Sequence, residues 1–129
     1  MNQEIQIYLQ RLRTSDWENA MHSLIDMGER YMPEIIAAWL RENDSITKDR
    51  IFEVMSEMPV QEATPFFEEK LSSKNEAEVR AAALGLIKLN ASRYEAKVVN
   101  AVQSHPVISK ESLFIDYLQA AIKSWKIRR

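Results

Sequence analysis

The chain has 129 residues, 46% of them hydrophobic and 28% charged, with 17 Lys and Arg against 19 Asp and Glu, two glycines and no cysteine. That length bounds one domain, 1–129, able to bury roughly two thirds of its unfolded surface, and the composition excludes a disordered chain. The missing cysteine excludes disulfides, thiolate–zinc sites and cysteine nucleophiles, and so few glycines speak against a β-sandwich or a phosphate-binding loop.

The amino-terminal dozen residues carry Glu4 and Arg11 among their apolar positions, which does not make a signal peptide. No run approaches the roughly 18 apolar residues that span a bilayer, so no membrane partner is expected and the expected location is cytoplasmic. The triplets Asn43-Asp44-Ser45 and Asn90-Ala91-Ser92 are then chance matches to a glycosylation signal. Charge is uneven: Lys123 to Arg129 holds four cations, leaving 13 cations and 19 anions in the rest. An acidic body argues against nucleic acid as the main ligand and fits a basic protein partner.

In chain order, Ile5, Tyr8, Leu9 and Leu12 have helical spacing. Ser15 with Glu18 reads as a capping box opening a second helix, whose stripe is Trp17, Ala20, Met21, Leu24 and Met27 and which Gly28 ends. Pro33 starts a third, with Ile35, Ile36, Trp39 and Leu40 buried. Ile51, Val54, Met55 and Met58 mark a fourth, stopped by Pro59. Thr64 and Pro65 read as cap and first position of a fifth, with Phe66, Phe67 and Leu71 inward. Asn75 with Glu78 caps a sixth, carrying Val79, Ala82, Ala83, Leu86 and Leu89. Ser92 with Glu95 opens a seventh, with Val98, Val99 and Val102. After Pro106 a last helix runs from about Ser109 through Phe114, Tyr117, Leu118, Ala121, Ile122 and Trp125. The short connections predict antiparallel neighbours.

A period of 31 residues runs through this pattern. It relates Ala20, Ile51 and Ala82, then Leu24, Met55 and Leu86, then Met27, Met58 and Leu89. The second helices follow with Ile36, Phe67 and Val98, and with Leu40, Leu71 and Val102. A hairpin that cannot bury its own apolar face stacks on its neighbours, which is how repeat proteins build a core.

The stretch Asn75-Glu76-Ala77-Glu78-Val79-Arg80-Ala81-Ala82-Ala83-Leu84, continued by Leu86-Ile87-Lys88-Leu89, resembles the first helix of a short HEAT-like repeat. The segment Ala63 to Leu71 resembles the second helix of the repeat before it. The resemblance implies an all-α fold: a short right-handed α-solenoid of about three HEAT-like hairpins with a C-terminal capping helix. It also implies that the second helices line the concave, binding surface, and the cap favours a monomer.

Chemistry-bearing constellations are sparse. His22 has Asp26 four residues on and His105 precedes Pro106; a lone His–Asp pair on a helix reads as a surface hydrogen bond, so no metal is expected. The pairs Glu57 and Glu62, Glu68 and Glu69, and Glu76 and Glu78 read as solvated faces and caps. No catalytic residue and no cofactor are assigned, and the expected protein is not an enzyme. On the implied concave face the candidate partner-binding residues are Glu34, Ala38, Trp39, Arg41, Glu68, Glu69, Ser72, Lys97 and Asn100. Ala37 also lies in this groove, with Trp39 as a partly exposed anchor. The expected function is a non-catalytic protein-binding module, in its sharpest form an immunity or inhibitor protein for a basic toxin. The alternatives are an accessory subunit resembling HEAT-like chromophore lyases and a HEAT-like nucleic-acid-binding protein, the latter against the acidic groove. The basic tail, Lys123, Lys126, Arg128 and Arg129 around Trp125, reads as cations favoured by a helix C-terminus.

Overall fold

The computed structural model describes the backbone of residues 3–128 and the side chains of residues 3–126, so Arg129 and the Arg128 side chain of the basic tail lie outside the described residues. Among the described residues the chain is all-helical, with eight α-helices and no strand. It falls into two compact units, Met1–Ala63 and Thr64–Arg129. Their charges differ in sign: the first holds six Lys and Arg against twelve Asp and Glu, the second eleven against seven.

The first unit comprises α1 (Gln3–Arg11), α2 (Trp17–Met27), α3 (Met32–Arg41) and α4 (Ser45–Glu57). α1 packs on α2 and α3, and both of those pack on α4. Ile5, Leu24 and Ile35 are completely buried in its core, with Ala20 and Ile51 nearly so. The expected Ser15–Glu18 capping box is not formed. Asp16 takes the N-cap without a side-chain bond to the backbone, and its carboxylate instead accepts from Asn19 Nδ2 at 2.7 Å. The fourth helix has a genuine cap: Asp44 accepts from the Thr47 N–H at 2.9 Å and from the Thr47 hydroxyl at 2.6 Å.

The second unit comprises α5 (Thr64–Lys70), α6 (Glu76–Lys88), α7 (Glu95–Gln103) and α8 (Ser112–Arg128). α6 packs on both α5 and α7. It is buried on nearly every side, Ala81 to Ala83 and Gly85 to Ile87 included, because alanine and glycine let neighbours come close. Asn75 caps it as expected, its Oδ1 accepting from the Ala77 N–H at 2.9 Å and the Glu78 N–H at 3.4 Å. Glu78 does not reach back to complete a box. Its carboxylate accepts from the Ser73 hydroxyl at 2.9 Å and pairs with Lys70 at 3.0 Å. The helix ends in a Schellman motif: the Asn90 N–H donates to Ile87 O and the Ala91 N–H to Leu86 O, both at 3.0 Å, with Asn90 at φ 54°.

Three further start signals are corrected. Ser92 belongs to a 3₁₀ turn, Ser92–Tyr94, and α7 begins only at Glu95, so that capping box is also absent. Thr64 is the first residue of α5 rather than its cap, and its hydroxyl is buried without a partner. The last helix begins at Ser112, after a 3₁₀ turn at Ile108–Lys110, and on it Tyr117 is 44% exposed rather than inward.

The order helix, 3₁₀ turn, helix recurs three times, with turns at Glu29–Tyr31, Gln61–Ala63 and Ser92–Tyr94. The second and third occurrences keep the 31-residue register throughout: the caps Asp44 and Asn75, and the buried pairs Ile51/Ala82, Met55/Leu86, Phe67/Val98 and Leu71/Val102. The first has four residues between its helices where the later two have six, and since α2 also runs one residue further in the repeat, the net shift in register is one residue. Gly28 alone joins α2 to its 3₁₀ turn, where Met58 to Val60 and Leu89 to Ala91 do so later. Gly28 adopts φ 95°, ψ 167°, a region essentially closed to residues with a Cβ. This shortcut rotates α3 by one position. Its buried residues are Met32, Ile35, Ala38 and Trp39, while Ile36 is half-buried and Leu40 is 56% exposed, which corrects the expected burial of Leu40.

Candidate binding clefts

In the second unit, α5 and α7 bring polar side chains from two distant parts of the sequence into one open cleft of about 420 Å³. Glu68 and Ser72, four residues apart, come from α5 and the turn after it. Lys97, Asn100, Ala101 and Ser104 follow one face of α7 at helical spacing. His105 closes one end, and its Nδ1 lies 3.9 Å from Glu76 Oε1. Glu76 also accepts from the Ile108 N–H at 3.2 Å, which ties the 3₁₀ turn to the start of α6. The Lys97 ammonium donates to the Glu68 carboxylate. An ion pair with one partner this exposed contributes little to stability, since water competes for both charges. Its consequence is chemical: the cleft presents hydroxyls, an amide and a balanced pair, not the net negative groove expected of Glu68.

In the first unit, α1 and α3 frame a second cleft of about 490 Å³, lined by Gln6, Gln10 and Arg13 on one side and Ala38, Arg41 and Glu42 on the other. Glu42 is its most constrained group. Arg13 holds it in a two-pronged pair, Nη1 to Oε2 at 3.0 Å, and the Asn43 and Asp44 N–H groups donate to the same carboxylate at 3.1 and 3.0 Å. Burial pushes the Glu42 carboxyl up. The Asp44 N–H, the Arg13 guanidinium and the Asn43 N–H together outweigh that and hold it below its usual value. The hydroxyl and N–H of Thr47 likewise hold Asp44 low.

Of the nine residues singled out from the sequence, Glu68, Ser72, Lys97 and Asn100 therefore share one cleft, and Ala38 and Arg41 share another. Glu69 is exposed on α5 and lines neither cleft, and Glu34 is half-buried on α3 with Oε2 lacking a hydrogen-bond partner. One expectation is corrected: Trp39, expected as a partly exposed anchor, is 4% exposed, and Ala38, although it lines the α1–α3 cleft, is itself only 6% exposed. The Trp39 ring stacks on Phe52 with centroids 5.3 Å apart, and the Lys48 ammonium lies 5.0 Å from it. The one-residue shift of α3 explains this: Trp39 aligns with Leu71, a core position, and not with Lys70.

Sequence reasoning missed the Glu42 cluster, although Arg13 and Glu42 are both visible as charges next to helix ends. Their pairing depends on how α1 crosses α3, which periodicity does not encode. Among the described residues no group of three or more His, Cys, Asp or Glu side chains is placed to hold a metal ion, and no helix is long and apolar enough to cross a membrane. No family model, curated protein or solved structure matches this chain.

Proposed function

We propose that the chain is a non-catalytic module that binds another protein, built as a short HEAT-like solenoid with its second helices as the contact surface. The observation that carries this reading is the α5–α7 cleft, in which Glu68, Ser72, Lys97 and Asn100, from two segments far apart in sequence, line one open surface. Hydroxyl, amide and ion-pair groups at the rim of a cleft suit the polar hydrogen bonding of a protein interface. The strict 31-residue register from Asp44 to Val102 supports the repeat architecture. Within this reading the sharpest form is an immunity or inhibitor protein for a basic toxin, supported by the excess of acidic residues in the first unit.

The test is affinity capture from native lysate with wild-type bait beside a Ser72→Arg/Asn100→Arg variant. Both positions are exposed, so helical circular dichroism should be unchanged. Wild type should retain one protein at near-equal stoichiometry and the variant should lose it. Equal retention by both baits would remove the cleft from the contact surface.

A further inference from the structure

A groove between α2 and α4 in the first unit has a different character from the two polar clefts. Its volume is about 470 Å³, and its apolar lining is Trp17, Met21 and Ile25, one residue per turn along α2. That spacing makes a strip about 12 Å long, by the 1.5 Å rise per residue. All three side chains are half-buried, so each still offers apolar surface to solvent. Glu18 and His22 flank the strip on α2, and Glu53 and Glu57, one turn apart, flank it on α4; all four are exposed. One end is fixed by Arg50, whose guanidinium lies 4.5 Å from the Trp17 ring and donates to Leu12 O at 2.6 Å.

We propose that this groove is a docking site for a basic amphipathic helix of a partner protein. Helix-in-groove recognition needs an apolar strip that accepts anchors three and four residues apart, and Trp17, Met21 and Ile25 supply one. Methionine at its centre adapts its shape to the anchor it meets. Charge complementarity fixes the occupant: three carboxylates edge the groove, in a unit whose acidic residues outnumber its Lys and Arg by two to one. Lysines and arginines flanking the apolar anchors of a docked helix meet Glu18 on one edge and Glu53 and Glu57 on the other. The site rests on the reading of the chain as a binding module but uses residues wholly separate from the α5–α7 cleft.

The test uses a fluorescein-labelled model helix of leucine and lysine, about five turns long, titrated against the full chain by anisotropy at low and moderate salt. A scrambled peptide of the same composition and a leucine–glutamate analogue serve as controls. The basic helix should bind, shift the methyl resonances of Met21 and Ile25, and lose affinity at least about tenfold in a Glu53→Lys/Glu57→Lys variant. Ser72→Arg/Asn100→Arg should leave its affinity unchanged. Equal binding of the scrambled peptide would reduce the effect to a diffuse acidic field and overturn the site. So would resonance shifts confined to other residues, or self-association of the chain that occupies Met21 and Ile25. If the groove variant binds like wild type while the cleft variant loses its captured partner, this inference fails and the proposed function stands.

Discussion

A Cβ placed on Gly85 would lie 2.8 Å from the ring of Phe67, which is itself completely buried. The backbone of α6 thus runs against an aromatic face of α5, and the absence of a side chain at this one position sets how closely the two helices pack.

Two effects compete in Gly85→Ala. Alanine is favoured over glycine in a helix interior by about 1 kcal/mol. Against that, overpacking a filled core costs about 1–3 kcal/mol, and a buried ring has no flexible end to swing aside. We expect net destabilisation of up to about 2 kcal/mol, read from the urea midpoint. Adding Phe67→Leu should recover part of it, whereas an additive loss would show that the contact does not matter.

Gly28 presents the opposite case. Nothing lies within 4 Å of a Cβ built there, so the cost of Gly28→Ala is conformational alone, about 1–3 kcal/mol for its φ of 95°. Asn90, in the left-handed region, should tolerate glycine with no loss and lose about 1 kcal/mol on substitution by valine. Thermal melts of the three variants decide this.

The register of α3 is tested by neighbours that differ in burial. Trp39→Ala should cost about 3–5 kcal/mol, as for large aromatic truncations in cores, while Leu40→Ala should stay within about 0.5 kcal/mol. If the two losses were similar, the one-residue shift introduced at Gly28 would be wrong.

Glu42 sets a pH dependence with a definite sign. Its folded-state value lies below the ordinary 4.5, so it binds a proton less readily when folded than when unfolded. Its contribution is therefore complete above that ordinary value and is lost as pH falls through the folded value. Glu42→Gln should lower stability at neutral pH and flatten its decline below about pH 4.5, as followed by urea titration at stepped pH. An unchanged acid limb would place the relevant carboxylates elsewhere.

Much of the helical pattern was legible because apolar spacing reports burial directly: Ala20, Leu24, Met55, Val79, Leu86, Val98 and Phe114 are all buried where periodicity puts them. The caps were legible only in part. Asn75 does what its position suggests, but Ser15 and Ser92 match the same rule and cap nothing, because 3₁₀ and irregular turns already occupy those places. A fixed 31-residue spacing misplaced Trp39 and Leu40, since it carries no information about the backbone conformation of the one glycine that shortens the first connection. The candidate surface was legible where α5 and α7 keep strict register, and illegible where Arg13 meets Glu42 across helices. The α2–α4 groove escaped notice because Trp17, Met21 and Ile25 look like core residues until their half-exposure is seen.

The three tryptophans occupy three different environments, and this gives the chain built-in optical probes. Trp39, against Phe52, belongs to the first unit; Trp125, only 1% exposed with its indole N–H unpartnered, belongs to the second; Trp17 borders the groove beneath Arg50. Variants retaining one tryptophan at a time would report on each place separately. Blue-shifted emission from Trp125 would track the loosening of its own half during a melt, the Trp39 signal would track the other, and quenching or sharpening of Trp17 would register an arriving ligand without any attached dye. Coincident or staggered transitions of the two interior fluorophores would then reveal whether the halves unfold as one cooperative body.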